Sequence, residues 1–490
     1  MNNRQTIDVV WFKRDLRLSD HVPLKHAIES PRPVLLLYIF EPSLFESDHY
    51  GNRHGRFVWE SLCDMRDQLE PYDADIVTVY DEVIPFFEKL SKIYNIHTAY
   101  SHEETGINLT FERDKDFARF CDRYGIRWEE SPTNAVFRGL MHRDGWRDRW
   151  KERAKRELHA PDLTALNAIG ISSDQWNEFK LKPIPQSFKT PNLLFQQGGE
   201  ANAWRCLEDF VYERGRRYND LISKPAGSRY GCSRLSPFLT WGNLSLQQAY
   251  QFLWDQYEEL DHQWPLRSFG SRLKWHCHFI QKFEAEPRIE FENLNRGYND
   301  IRTERNEEFI EAWEAGETGF PLVDACMRAV KQTGYINFRM RAMLVSVLTH
   351  HLWQPWQAGA QFLGRQFLDF EPGIHYSQFQ MQAGTMGVNS VRIYNPVKQG
   401  YDHDADGNFI RQWVPELRPV PVELIHEPWQ MSPMEQQMYG VKLGSEYPER
   451  LVDHKVAYNK ANETLWSKKN DPKVKRENER ILQKHVKTRS

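Results

Sequence analysis

Two serines stand three residues apart in the segment GCSRLSP, where the sequence predicts the start of a helix. At such a place Ser233 and Ser236 lie beside backbone N–H groups that have no partner within the helix, and these groups favour a phosphate. A serine at a helix start is more often simply a cap. The spacing alone is therefore weak evidence for a phosphate site.

A cation and two acids form a second set of candidates. Arg341 is followed later in the chain by Asp369 and Glu371. A buried arginine is costly unless an acid compensates its charge, so a pairing is expected wherever the fold brings these residues together. Considered alone, the three residues predict a structural salt bridge.

Longer motifs around these residues resemble the photolyase and cryptochrome superfamily. GCSRLSP is similar to the family's GTSxLSP, and the opening VVWFKRDLRLSDHVPL resembles VWFRRDLRLxDNxAL. TGFPLVDACMRAVKQTGYINFRMRAML and QFLDFEPGIHYSQFQMQAGTMGVNSVRIYNP resemble the flavin-binding region, while GNFIRQWVPELRPVP and IHEPW resemble the closing region. The resemblance runs from about Asp8 to Trp466. It implies an α/β antenna domain, a linker and a helical domain that holds FAD for blue-light chemistry.

The resemblance also implies site residues. Arg341 matches an arginine beside the flavin ring, and Asp369 would hold it there to stabilise a negatively charged flavin. Cys232 replaces the family's usual threonine and removes one hydroxyl donor. We expect reaction roles for Arg341, Asp369, Trp356 and Trp275. The expected cofactor-binding residues are Tyr218, Cys232, Ser233, Arg234, Leu235, Ser236, Arg272, Trp275, His276, Arg341, Asp369 and Glu371.

Several positions that would touch damaged DNA depart from the family's pattern. Repair enzymes read a flipped pyrimidine dimer against an apolar wall, which Trp275 fits. Arg272 stands where dimer photolyases carry a glutamate, and His276 stands in place of an arginine. Phe338 and Ala342 replace the expected asparagine and methionine, and the (6-4) photolyases would need histidines at those two positions. Neither repair set is present.

The usual chain of three tryptophans is incomplete. Trp356 matches the middle member, the inner position falls near Tyr376–Phe379, and the outer position falls at Thr303. We expect light-driven reduction by that route to be weakened unless Tyr376, Tyr335 or another tryptophan substitutes.

Three functional hypotheses follow. The first is a deoxyribodipyrimidine photolyase-like lyase that repairs a UV-induced lesion in DNA, and the short C-terminal tail favours it. The second is a cryptochrome-like photoreceptor with a signalling partner, which the replaced lesion contacts favour. The third, a nucleotide-binding protein unrelated to light, is disfavoured because neither G-x-G-x-x-G nor GxxxxGK[ST] follows a predicted strand. A second chromophore of folate or deazaflavin type is implied near His102–Gly106.

The first 130 residues predict a parallel, Rossmann-like α/β sheet, because apolar β-rich runs alternate with amphipathic ones. Predicted strands are Ile7–Phe12, Val34–Phe40, Asp75–Tyr80 and His97–Tyr100, and predicted helices are Gly55–Leu69, Glu82–Tyr94 and Leu109–Tyr124. Residues 131–199 read as a linker, in which HRDGWRDRWKERAKRELHAPD favours a solvated helix over a nucleic-acid patch. Residues 200–466 predict an all-α FAD-binding domain.

Residues 467–490 form a basic tail with nine Lys or Arg and three acids, a local charge of +6. The net charge of −4 then leaves about −10 for the body, so DNA contact requires a local patch. No apolar run approaches the ~18 residues of a membrane span. Six cysteines without a CxxC pair argue against disulfides and metal sites. The polar start predicts a cytoplasmic protein, which we expect to be a monomer.

Overall fold

A computed structural model describes residues 4–486 of the chain. Near the N-terminus, five strands form one parallel sheet in the order β3-β2-β1-β4-β5. The strands are β1 (Thr6–Phe12), β2 (Val34–Phe40), β3 (Val77–Tyr80), β4 (Asn95–His102) and β5 (Arg127–Ser131). The parallel α/β prediction for this region is confirmed.

Helices cover both faces of the sheet, as a parallel sheet with buried strands requires. They are α1 (Val22–Glu29), α2 (Pro42–Phe45), α3 (Asn52–Leu69), α4 (Val83–Ile93) and α5 (Asn108–Tyr124). All seven residues of β2 are buried. On one face Trp11, Phe87 and Phe117 pack together, with ring centroids 4.9 Å apart for Trp11 and Phe117. The other face joins the core of the helical region.

The connecting segment contains α6 (Trp146–Ala154), α7 (Ser173–Phe179) and α8 (Gln186–Lys189). Trp146, Trp150 and Phe188 are buried in it. Phe188 lies 5.3 Å from Phe45 and 5.5 Å from Phe40, measured between ring centroids. The segment is therefore packed onto the sheet domain by its aromatic side chains.

Helices dominate the rest of the chain. They are α9 (Glu200–Tyr212), α10 (Tyr218–Leu221), α11 (Ser228–Gly231), α12 (Ser236–Trp241), α13 (Leu246–Gln256), α14 (Gln263–Ala285), α15 (Glu307–Ala315), α16 (Pro321–Thr333), α17 (Phe338–Ser346), α18 (Trp356–Gln366), α19 (Pro372–Gln382), α20 (Pro396–His403), α21 (Asn408–Trp413), α22 (Val422–Ile425), α23 (Pro433–Tyr439), α24 (His454–Lys469) and α25 (Pro472–His485). Short 3-10 and π-helical turns join several of them. The all-α prediction for the C-terminal part is confirmed.

Helices α14 and α19 approach closely because Gly373 lies in the first turn of α19. A Cβ at this position would lie 2.6 Å from the Cα of Ile280, so no side chain fits there. Helix α14 carries the candidate residues Arg272, Trp275 and His276, and α19 directly follows Asp369 and Glu371.

The segment that the sequence marks as a basic tail includes the end of α24 and all of α25 within residues 4–486. Val474 and Ile481 are buried, and Arg480 and His485 both contact Glu286 at the end of α14. This end of the chain packs on the helical domain. Across residues 4–486 no helix is long and apolar enough to cross a membrane. The domain boundaries stay predictions.

Candidate active site

Arg341 and Asp369 form an ion pair in the helical domain, with 25% of the Arg341 side chain and 6% of the Asp369 side chain exposed. Nη2 of Arg341, on α17, lies 3.0 Å from Oδ2 of Asp369 in the loop between α18 and α19. Nε of Arg341 donates to the carbonyl oxygen of Ile336, and the guanidinium lies 4.0 Å from the ring centroid of Phe367. The arginine is thus held on three sides, by an acid, a carbonyl and a ring.

The Asp369 carboxylate remains ionised despite its burial. Burial alone raises the pKa of Asp369, but the Arg341 charge and hydrogen bonds from Arg341 and Ser236 outweigh it, so the pKa lies below its usual value. The second oxygen, Oδ1, is buried and has no partner in residues 4–486. An acceptor atom therefore remains for a ligand.

Glu371 lies elsewhere, although the sequence groups it with Asp369. Its Oε2 lies 2.5 Å from Nη2 of Arg14, which follows β1, and its Oε1 accepts the N–H of Gly373 at the start of α19. Burial raises the pKa of Glu371, which Arg14 offsets in part. Glu371 joins the two domains and caps α19, and it does not contact Arg341.

The expected phosphate segment contains an arginine without an acidic partner. Arg234 adopts a left-handed backbone conformation with φ of 60°, and its guanidinium lies 3.7 Å from the ring centroid of Tyr335. Nη2 donates to Gln196, whereas Nε is buried without a partner in the described part of the chain. Cys232 is buried beside Tyr335, and burial raises the pKa of its thiol to about 11. The Ser233 hydroxyl oxygen accepts a weak hydrogen bond of 3.4 Å from the Leu235 N–H.

Tyr218 and three residues of α14 complete the predicted set. The Tyr218 hydroxyl contacts Arg272, and burial raises its pKa to about 12. Trp275 is 49% exposed. Both ring nitrogens of His276 are buried without partners in residues 4–486, and burial together with the Arg14 charge lowers the pKa of His276 to about 4.

These residues fit the flavin cofactor that the resemblance implies. Buried polar groups normally have partners, so atoms that lack them mark places where a polar ligand would bind. In this region such atoms belong to Asn219, Arg234, His276, Asn337, Arg339 and Asp369. Unpaired arginine donors suit a pyrophosphate, and the Arg341–Asp369 pair suits a ring that gains negative charge.

Comparison with known proteins agrees with this geometry. Residues 8–144 match the family model for DNA photolyase, and residues 269–467 match that for the FAD binding domain of DNA photolyase. The chain is 27% identical over 482 residues to a deoxyribodipyrimidine photo-lyase of Alkalihalophilus pseudofirmus, covering 94% of this chain and 98% of that protein. It is 29% identical to a cryptochrome DASH of Gloeobacter violaceus, with 91% and 93% covered. The chain belongs to the photolyase and cryptochrome superfamily.

Solved structures of superfamily members share the fold. A Synechocystis cryptochrome superposes with a TM-score of 0.82 at 23% identity, covering 94% of this chain and 100% of that one. A class III photolyase from Agrobacterium tumefaciens superposes with a TM-score of 0.78 at 24% identity, with 96% and 99% covered. The protein has an FAD-dependent, photolyase-like function, and its relatives include both named photo-lyases and named cryptochromes.

Exposed aromatic side chains occur on two helices that also carry expected cofactor residues. Phe338, the first residue of α17, is 52% exposed, and Trp275 on α14 is similarly open. Arg272 is exposed one turn before Trp275, and Arg339 follows Phe338. Exposed rings of this kind can stack on unpaired bases, and nearby arginines can contact phosphates.

The candidate electron route contains one predicted tryptophan and one tyrosine in contact. Trp356 is buried and donates its Nε1–H to Oδ1 of Asn293 at 2.9 Å. Its ring centroid lies 6.0 Å from that of Tyr376. Thr303, at the outer position, is exposed and has no aromatic ring.

Sequence reasoning missed three residues that complete this site. Arg14 holds Glu371, Asn293 holds Trp356, and His49 contacts the hydroxyl of Tyr376. His49 and Tyr376 are 327 residues apart in the chain. No local pattern marks such a pairing, because it depends on how the two domains pack.

Proposed function

We propose that this protein repairs a UV-induced pyrimidine lesion in DNA in a light-driven, FAD-dependent lyase reaction. The observation that carries the proposal is that two helices with expected cofactor residues, α14 and α17, each also carry an exposed aromatic ring. Helix α14 carries Arg272 and Trp275, while α17 carries Phe338 and Arg341. A base that leaves the duplex would stack on these rings beside the proposed flavin site.

The exposed rings provide stacking surfaces for unpaired bases. Stacking on an aromatic side chain contributes about 1–3 kcal/mol per base, and it tolerates different bases. Arg272 and Arg339 would attract the adjoining phosphates. Because the body of the protein is acidic, these local cations and not the overall charge would position the strand.

The remaining residues would bind the cofactor. Arg234 and Tyr335 would contact the pyrophosphate of FAD. Tyr218, which contacts Arg272, would lie on the same side of the cofactor. The Arg341–Asp369 pair would place a fixed positive charge beside the ring, in a site where burial strengthens electrostatic interactions. When bound, FAD supplies the light absorption and the electron.

A second, light-harvesting chromophore of folate or deazaflavin type stays a proposal. Of the expected segment His102–Gly106, residues His102–Thr105 border a cleft between the domains together with Arg14 and Glu371. The cleft encloses about 40 Å³, close to the volume of a single water molecule, so a chromophore requires it to widen. Thr105 donates to Glu284 of α14 at 3.0 Å, which ties this loop to the helical domain.

The second candidate function is that of a cryptochrome-like photoreceptor. Arg272, His276 and Phe338 favour it, because they replace the residues that would contact a dimer in a repair enzyme. A photoreceptor would keep the flavin chemistry of the site and would leave a lesion in DNA unchanged.

A repair assay separates the two candidates. Reduced, FAD-loaded protein is mixed with single- and double-stranded DNA that contains cyclobutane dimers or (6-4) lesions, and repaired bases are counted after illumination. We expect repair of at least one lesion in the light and none in the dark. Normal FAD loading with no repair of any of the four substrates would contradict the proposal.

Two tryptophans on the same helix provide a matched pair of variants. Trp275→Ala should lower the affinity for lesion DNA about tenfold or more, because it removes a stacking ring. Trp264→Ala removes a ring that is 69% exposed at the start of α14, eleven residues away. This control should bind lesion DNA like the wild type, and equal losses in both variants would contradict the assigned surface.

A further inference from the structure

Tyr376 and His49 form a buried pair across the junction of the two domains. Tyr376 lies on α19, and its hydroxyl oxygen is 2.5 Å from Nε2 of His49, which lies between α2 and α3. Tyr376 is 1% exposed and His49 is 6% exposed. The phenol thus has one side-chain partner, and that partner is a potential base.

The Tyr376–His49 pair is connected to the Arg341–Asp369 site through the rings of Phe367 and His375. The Arg341 guanidinium packs on Phe367, whose ring centroid is 6.0 Å from that of His375. The His375 ring in turn is 5.6 Å from the Tyr376 ring. Tyr376 also contacts Trp356, so it lies between the proposed flavin site and the surviving tryptophan.

Removing an electron from a tyrosine requires a place for its proton. The oxidised phenol is a strong acid, whereas a neutral imidazole accepts a proton readily. Burial lowers the pKa of His49 to about 4, although the adjacent Asp48 raises it in part. His49 is therefore neutral at physiological pH, and its Nε2 can receive the proton.

Tyr335, the other tyrosine at the site, has no such base as a partner within residues 4–486. Its hydroxyl donates to the backbone carbonyl of Ser228 at 3.5 Å and contacts the protonated thiol of Cys232. Neither group takes up a proton near neutral pH. The two tyrosines are therefore similar in burial and different in the chemistry of their partners.

We propose that Tyr376 and His49 act together as a proton-coupled electron donor to the light-excited flavin, in place of the inner tryptophan. One electron leaves the phenol for the oxidised flavin, and the phenolic proton crosses to Nε2 of His49. The products on the protein are a neutral tyrosyl radical and an imidazolium. A thiol reductant returns one electron, and the proton returns from His49 to the phenol. This proposal rests on the proposed FAD-dependent function.

The surroundings of His49 suit a brief positive charge. Asp48 is exposed and next in sequence, so it stabilises the imidazolium and connects it with solvent. The Phe370 ring stacks on His49 at 5.5 Å. His375 also lies near His49, and burial lowers its pKa to about 3, so it adds no positive charge. Glu290 and Tyr50 are the other titratable groups close enough to act on Tyr376. By contrast, the N–H of Trp356 faces the Asn293 amide, which does not accept a proton.

Three variants test the pair by transient absorption of the FAD-loaded protein. Tyr376→Phe should abolish the tyrosyl-radical band and slow flavin photoreduction. His49→Gln keeps a hydrogen-bond acceptor for the phenol but no base, and it should slow radical formation about 100-fold. Tyr298→Phe, at a buried tyrosine outside the proposed cofactor site, is the control and should retain the wild-type rate. Wild-type kinetics in Tyr376→Phe or in His49→Gln would overturn the proposal.

A measurement without FAD separates failure of this proposal from failure of the proposed function. Nitrogen NMR of the apoprotein should show His49 neutral between pH 6 and 8, with its proton on Nδ1 and Nε2 free to accept. A proton on Nε2 would overturn the proposal, since the phenol would then not donate. If the wild type binds no FAD at all, the proposed function fails, and the NMR result still decides whether this pair is arranged for proton transfer.

Discussion

Asp369 and Glu371 are two residues apart and both buried, yet their pKa values move in opposite directions. Arg341 and Ser236 lower the pKa of Asp369, whereas burial raises that of Glu371 despite Arg14. Asp369 keeps one oxygen without a partner in residues 4–486, while Glu371 uses both oxygens, for Arg14 and for the N-terminus of α19. The first arrangement leaves capacity for a ligand. The second joins the sheet domain to the helical domain.

The largest expected effect comes from two single variants, one that removes the arginine of the Arg341–Asp369 pair and one that removes the arginine of the Arg14–Glu371 pair. Arg341→Ala should abolish FAD retention, because it removes the cation beside the ring and leaves Asp369 uncompensated, a loss of about 3–5 kcal/mol for a buried pair. Arg14→Ala should retain FAD and lower the melting temperature. FAD per chain after gel filtration and thermal unfolding by circular dichroism measure the two effects.

Arg341→Ala also needs a check that the variant folds. The far-ultraviolet spectrum should match the wild type, and Arg341→Lys should recover part of the FAD, since it restores charge without the planar donor geometry. Full FAD retention in Arg341→Ala, or loss of FAD in a folded Arg14→Ala, would reverse the roles assigned to the two pairs.

The pH dependence of stability should differ in sign between the two acids. For Asp369, the native pKa lies below the unfolded value, so its stabilising contribution is full above about 3.8 and is lost as the pH falls through the native pKa. For Glu371, the native pKa lies above the unfolded value of 4.5, so the native state binds the proton more tightly. Its contribution becomes more favourable as the pH falls through the native pKa and levels off below 4.5.

Chemical unfolding of Asp369→Asn and Glu371→Gln between pH 8 and pH 3.5 tests this difference. The stability gap between wild type and Asp369→Asn should stay constant down to about pH 4 and then shrink. The wild type should gain stability relative to Glu371→Gln on moderate acidification. Parallel pH profiles for the two variants would show that the acids are equivalent, contrary to the structure.

Sequence reasoning is most successful where apolar pattern decides the structure. Strands β1 and β2 are buried runs without alternation, and the predicted Val34–Phe40 coincides with β2. β5, with the sequence RWEES, was not predicted, because it is a polar edge strand whose first four residues are exposed or half-buried. The position of β5 is set by its pairing with β4, and this pairing cannot be predicted from the local sequence.

At the site, sequence motifs identify residues better than they identify partners. The resemblance predicts that Asp369 holds Arg341, and the two lie 3.0 Å apart. The same motif groups Glu371 with Asp369, whereas Arg14, 357 residues away in the chain, is its partner. Contacts between distant segments, including that of His49 with Tyr376, follow from domain packing and leave no periodic or local signal.

The smallest expected effect concerns the hydroxyl that distinguishes the two acids. The Ser236 hydroxyl lowers the pKa of Asp369. Glu371 has the backbone N–H of Gly373 in that place, which no side-chain substitution removes. Ser236→Ala should therefore weaken FAD binding by about 1 kcal/mol, roughly fivefold, and raise the pKa of Asp369. In the Asp369→Asn background, Ser236→Ala should have a smaller effect on FAD binding, because the negative charge of the Asp369 carboxylate is already gone.

A double-mutant cycle on the FAD dissociation constant measures this coupling between Ser236 and Asp369. Zero coupling would mean that Ser236 acts on the cofactor directly, and Asp369 would then owe its low pKa to Arg341 alone.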